Sequence, residues 1–266
     1  MFIKRLFCCF FLIYFYNISA QGIRFDRERF EANDRWEEDD LGFSSSLPSK
    51  FSLRQYCPPI MEQTGQSCVG WSTAYAAMSI IHNQKFGMTK ENEKFLFAFD
   101  PNYIYSLIAA EHDYDCAEGT YINDAIETMT KYGCKKMLAP ELTDCNSVIS
   151  NTSKKYGLPF RIKGAQTPPD EFFEGDYEEK VTLLKQSLLE NNPLIVGMAT
   201  TETFGPLGYE NGIVSEDGLY NPNEDESEVG GHAMCVIGFD DEKFGGSFEI
   251  MNSWGIDFGD QGFNWV

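Results

Sequence analysis

Apolar and small residues run almost without a break from Val69 to Ile81, a pattern that predicts a helix buried on all sides. Pro101 to Ala110 predicts a second helix, with Asp100 placed to cap its first turn and Pro101 tolerated inside it. A third spans Thr120–Tyr132 and is stopped by Gly133. A fourth, Tyr177–Asn191, carries Val181, Leu184 and Leu188 on one face; Pro193 closes it, and Leu194–Met198 reads as a buried strand. The period then changes. Ala233–Phe239 and Ser247–Met251 read as two strands joined by a turn over 240–246. Helices in the first half and strands in the last third predict an α+β protein of two lobes, not a doubly wound sheet.

The first twenty residues are set apart. Lys4 and Arg5 precede the apolar run Leu6–Tyr16, and Ile18-Ser19-Ala20 offers a small residue for cleavage before Gln21. Residues 1–20 are therefore read as a signal peptide, with an uncleaved anchor as the alternative, and the protein as secreted or periplasmic without stable membrane insertion. Residues 21–46 are crowded with acids and end in Gly42-Phe43-Ser44-Ser45-Ser46; they read as a flexible acidic leader, with a short helix around Arg27–Trp36. From Leu47-Pro48 to Val266 the composition is that of one folded domain.

The 266 residues carry a formal charge of −20, and loss of Lys4 and Arg5 makes it −22. That sign repels phosphate, so nucleic acid is excluded as a partner. The acidic run Asn223–Glu228 reads as a solvated loop rather than a calcium site. The cysteines lack the paired short spacing of a zinc site, so no metal or cofactor is expected. Beyond the first twenty residues six cysteines remain: Cys57, Cys68, Cys116, Cys134, Cys145 and Cys235. In an oxidising compartment six thiols form three disulfides, or fewer with a working thiol left over.

Cys68 is placed between a glycine-bearing loop and the start of the small-residue helix. A thiol at a helix N-terminus faces the positive end of the dipole and is expected to ionise readily. Its base must come from three histidines. His82 lies about four turns down the same helix, roughly 20 Å away, and cannot reach. His112 stands between Glu111 and Asp113 and reads as solvated, whereas His232 follows Gly230-Gly231 and opens a strand. Asn252 ends the strand that pairs with it, so the turn at 240–246 brings Asn252 to His232. An amide oxygen there accepts a proton from the imidazole and fixes the ring, and Trp254 is placed to shield that bond.

These segments resemble the papain family of cysteine peptidases. The likeness runs over residues 47–266: Leu47-Pro48 through Arg54, Gln63 through Trp71, Leu188 through Met198, and most specifically Gly231-His232-Ala233 with Asn252-Ser253-Trp254-Gly255 and Gly259-Asp260-Gln261-Gly262. The resemblance implies a helical lobe and an antiparallel β-lobe with the cleft between them. It implies Cys68 as nucleophile, His232 as general base and acid, and Asn252 as the residue orienting His232. It also implies Gln63 beside the Cys68 amide as the oxyanion donor, and Gly119 on the cleft wall where substrate backbone pairs. The implied activity is that of a monomeric endopeptidase acting on proteins or peptides; a catalytically inactive peptide binder on the same fold is the alternative.

The chain departs from the family pattern in places. No tryptophan follows Cys68, no cysteine stands three positions before it, and Gln63 is five rather than six positions before it. Cys116 thus lacks the family's partner; return of the chain after the helix from Thr120 makes Cys145 the expected one, with Cys235 a buried free thiol. The leader is too short to fold as an inhibitory domain, which leaves it as a strand across the cleft or without a role. The chain is expected to stop inside its closing strand at Val266.

Overall fold

The computed structural model describes residues 22–36, 47–111, 113–141, 143–201, 203–204, 218–220 and 228–266, without the side chains of 170, 171 and 229. The proposed signal peptide, His112 and most of the run 223–228 lie outside them. The fold is papain-like α+β.

Five strands form one antiparallel sheet: β1 (Lys50–Ser52), β2 (Leu194–Thr201), β3 (Glu228–Asp240), β4 (Ser247–Met251) and β5 (Phe263–Trp265). The long β3 organises it. One edge pairs with β2 and then β1, the other with β4, which carries β5 in turn. β2 and β3 both run beyond the apolar stretches that signal them, because backbone pairing continues where the side chains become small. A register shift opposite Ile237 lets β3 bend at the point where it changes partners.

The helical side is built on one continuous helix over 68–86. Its first turn, Cys68–Gly70, is α-helical; Trp71–Met78 winds more widely as π-helix; Ser79–Phe86 returns to α-helix. Hydroxyls support the wide turns, with Thr73 Oγ1 donating to the Val69 carbonyl at 2.6 Å and Ser72 Oγ to the same carbonyl at 3.2 Å. Against it pack Pro101–Ile108, capped by Asp100 as expected, and Ile122–Tyr132, stopped at Gly133. Short helices Glu91–Leu96, Asn151–Gly157 and Asp170–Glu174, and the capped helix Tyr177–Leu189, complete the chain. Two apolar clusters result. One gathers Tyr75, Ile80, Leu188, Met234, Ile237 and Phe239 under the sheet. The other gathers Val69, Phe99, Tyr103, Ile104 and Met129 among the helices.

Cys116 and Cys145 are joined; Cys57, Cys134 and Cys235 are buried free thiols, and Cys68 is a buried thiol outside the bridge. The bridge closes a 29-residue separation, which in a chain-entropy treatment is worth about 3–4 kcal/mol. Cys145→Ser is therefore expected to lower unfolding free energy by about that amount. Urea titration of the variant, and of the parent with and without reductant, measures it; equal midpoints would contradict the assignment.

Candidate active site

Cys68 opens the long helix and is fully buried. Ser67 precedes it, but its hydroxyl is spent on the Thr64 carbonyl at 2.7 Å, so no side chain caps the helix and its first amides face the sulfur. The Ala233 amide donates to Cys68 Sγ at 3.4 Å. Because Ala233 follows His232 in β3, this contact ties the thiol to the strand that carries the histidine. Burial nevertheless dominates: it pushes the Cys68 thiol up to about 12, against the downward pull of the Ala233, Val69 and Cys68 amides. Burial thus opposes the ready ionisation expected from the helix end, since removal of water disfavours the thiolate.

His232 and Asn252 meet as the pairing of β3 with β4 requires. The His232 Nε2 lies 2.8 Å from Asn252 Oδ1. The same oxygen accepts the Ser253 backbone N–H at 2.7 Å. A backbone donor demands an acceptor, so the oxygen, not the amide nitrogen, must face the ring. His232 Nε2 then has to carry the proton, and in the neutral ring the lone pair is on Nδ1. Trp254 stacks on His232 with centroids 4.3 Å apart and planes 23° apart. Phe204, which the sequence reading missed, is fully buried against Trp254 at 5.3 Å and His232 at 6.2 Å. Nothing local marks Phe204; only the fold brings it to the ring. His82 sits among Phe86, Phe97, Phe99 and Phe160, and burial, helped by nearby Lys136, lowers its pKa to about 4.

Gln63 reaches the site through a short antiparallel contact between Glu62 and Trp254, with the Gln63 amide on the Ser253 carbonyl at 2.7 Å. Ser253 Oγ donates to Gln63 Oε1 at 2.7 Å, and Gln63 Nε2 donates to the Gly65 carbonyl at 2.8 Å. One of its two amide hydrogens is therefore engaged inside the loop.

Gly119 and Thr120 lie against the backbone of the leader. Thr120 N–H donates to the Gly22 carbonyl at 2.9 Å, Arg24 N–H to the Thr120 carbonyl at 2.8 Å, and Ile23 N–H to the Gly231 carbonyl at 3.4 Å. Ile23 is buried in an apolar pocket where a Cβ on Gly197 would overlap its Cδ1 and one on Gly231 would lie 2.8 Å from its Cγ2. The leader helix is Arg27–Glu31, shorter than expected, and residues 22–36 are packed against the body rather than loose.

A model of the papain family cysteine proteases matches residues 47–266. The chain belongs to that family. An uncharacterized peptidase C1-like protein, L477, of Acanthamoeba polyphaga mimivirus is 26% identical over 235 residues, covering 80% of this chain and 67% of the relative. Among solved structures, xylellain, a cysteine protease from Xylella fastidiosa, superposes with a TM-score of 0.67 at 19% identity, covering 96% of this chain and 92% of xylellain. Procathepsin B S9 from Trypanosoma congolense gives 0.65 at 17% identity, with coverage of 93% and 80%. In this papain-family member, His232 and Asn252 are hydrogen-bonded, and the thiol of Cys68 accepts from the amide next to His232.

If Trp254 keeps water from the His232–Asn252 bond, Trp254→Ala exposes it. The His232 Nε2 proton, slow to exchange in the parent, should exchange at least about tenfold faster in the variant, a loss of roughly 1.4 kcal/mol of protection. Proton NMR of the ring N–H reads this directly, and unchanged exchange would deny Trp254 that role.

Proposed function

We propose that this papain-family protein is an exported cysteine endopeptidase. The observation that carries the reading is the fixed tautomer of His232: Nε2–H on Asn252 Oδ1, and a basic Nδ1 for the nucleophile. Cys68 Sγ attacks the scissile carbonyl after passing its proton to His232, the leaving amine takes that proton back, and water then hydrolyses the thioester with His232 again as base. Export rests on the basic, apolar and small residues in order over 1–20. The Cys68 amide, at a helix start without a side-chain cap, supplies one oxyanion donor. Gln63 supplies the second once Nε2 leaves the Gly65 carbonyl, with Ser253 holding its other end.

The second reading is a peptide binder without turnover, and one observation favours it: Gln63 Nε2 donates to the Gly65 carbonyl inside its own loop. Single variants separate the two. For the peptidase, Cys68→Ala and His232→Ala abolish hydrolysis of a peptide library. Asn252→Ala leaves a residue of roughly one part in ten to one in a hundred, because the amide orients the ring without exchanging a proton. Activity follows a bell in pH whose limbs belong to the coupled thiol and imidazole. Peptide binding without cleavage between pH 4 and 9, indifferent to His232→Ala, would establish the binder instead.

A further inference from the structure

Glu249 is an acid in the middle of β4, a strand buried along its whole length. It is 2% exposed and lies between β3 and β5. A carboxylate so placed needs partners, because an unpaired charge in the interior is strongly unfavourable. Both come from β1 and the turn after it. Ser52 Oγ donates to Glu249 Oε2 at 2.5 Å, and Arg54 Nη1 donates to Oε1 at 3.1 Å. The same serine oxygen accepts the Arg54 backbone N–H at 3.0 Å, which fixes the arginine at the strand end. Gly238, opposite Glu249 in β3, makes the room: a Cβ there would lie 3.1 Å from Oε2 and 2.5 Å from the Phe51 carbonyl oxygen.

Arg54 does not stop at Glu249. Its Nη1 also donates to Asp260 Oδ2 at 2.9 Å and its Nη2 to the Asp260 carbonyl at 3.3 Å, while the guanidinium carbon lies 3.9 Å from the Phe263 ring centroid. Asp260 and Phe263 close a tight turn on each other, amide to carbonyl in both directions at 2.8 and 3.1 Å. Inside that turn the Gly262 carbonyl accepts the Asn252 N–H at 3.1 Å, and the Gly262 N–H donates to the Phe258 carbonyl at 2.7 Å. Phe258 packs edge-on against Trp254 at 5.0 Å. One turn thus carries both the backbone partner of Asn252 and the ring behind Trp254, and Arg54 holds it by side chain, carbonyl and aromatic face. Among the described residues Arg54 is the only cation paired with either acid. Without it two carboxylates face the turn uncompensated and repel.

We propose that Arg54 is a positioning residue for Asn252: anchored on buried Glu249, it holds the turn over 258–263, and through the Gly262 carbonyl and Phe258 it fixes the amide and the tryptophan that set the His232 ring. The proposal deepens the peptidase reading and rests on it for its kinetic consequence, while its spectroscopic consequence stands without it. Arg54 touches none of the reacting groups. It acts at the far end of a chain of three links, from guanidinium to turn, from turn to Asn252 backbone, and from Asn252 Oδ1 to the imidazole.

The test is the ring-nitrogen NMR spectrum of His232 in the full chain, with His82, held among phenylalanines away from the sheet, as internal reporter of general loosening. Asp260→Ala, at a partly exposed site, releases the turn and leaves Arg54 on Glu249. Arg54→Met combined with Glu249→Leu removes both partners of the buried pair, so neither charge is orphaned. In each, His232 is expected to lose its single tautomer and its Nε2–H to exchange about fivefold faster, with the His82 signals in place. With a peptide substrate, kcat is expected to fall about three- to tenfold at a KM within about twofold of the parent. In an Asn252→Ala background the same changes cost nothing further, because the link they act through is already gone. Should the double variant fail to fold, Asp260→Ala decides. Unchanged His232 signals overturn the proposal, and so do His82 signals that move together with them. Altered His232 signals in variants of a parent that turns over no peptide uphold the positioning and remove the peptidase; turnover by the parent with His232 signals unchanged in the variants does the reverse.

Discussion

One oxygen atom sets the tautomer of His232. Asn252 Oδ1 accepts from a backbone amide one residue on and from His232 Nε2, and because the first of these donors has no alternative, the second is forced into one tautomer. Everything else serves that arrangement. β3 delivers the imidazole, β4 the amide, and their antiparallel pairing brings the two side chains together. Trp254 and Phe204 cover the bond with aromatic surface, which keeps its electrostatic strength from being diluted by water. The helix over 68–86 contributes the remaining member, and the Ala233 amide ties the thiol to the strand that bears the histidine.

The same burial that protects the hydrogen bond works against the nucleophile. Cys68, buried with Ile23 in the helical cluster, lacks water to solvate its anion. In this conformation Asn252 sets the His232 tautomer, while burial favours the neutral form of the Cys68 thiol.

Much of this was legible in the sequence where local pattern and tertiary demand agree. Ser247–Met251 has the bounds its pattern indicates, Pro101 and Asp100 mark a helix start by their own chemistry, Cys68 stands out at the start of a small-residue helix, and His232 and Asn252 through the spacing of strand, turn and strand. The rest depended on partners distant in the chain. The π-helical winding after Cys68 leaves no periodic signal in a run of small residues. Phe204 is one aromatic among many. The leader is the clearest case: its acids suggest a solvated tail, while its arginines and one isoleucine do the docking, on Asp124, Glu127, Tyr121 and a pocket that exists only once Gly197 and Gly231 are side by side.

The central claim is that His232 activates Cys68 toward a bound peptide. It is tested most directly by intact-mass analysis after exposure to an electrophilic peptide trap, such as a peptidyl vinyl sulfone, with His232→Ala alongside. The account predicts a single adduct, mapping to Cys68, formed far more slowly in the variant. Equal rates in parent and variant, or adducts spread over Cys57, Cys134 and Cys235, would contradict it.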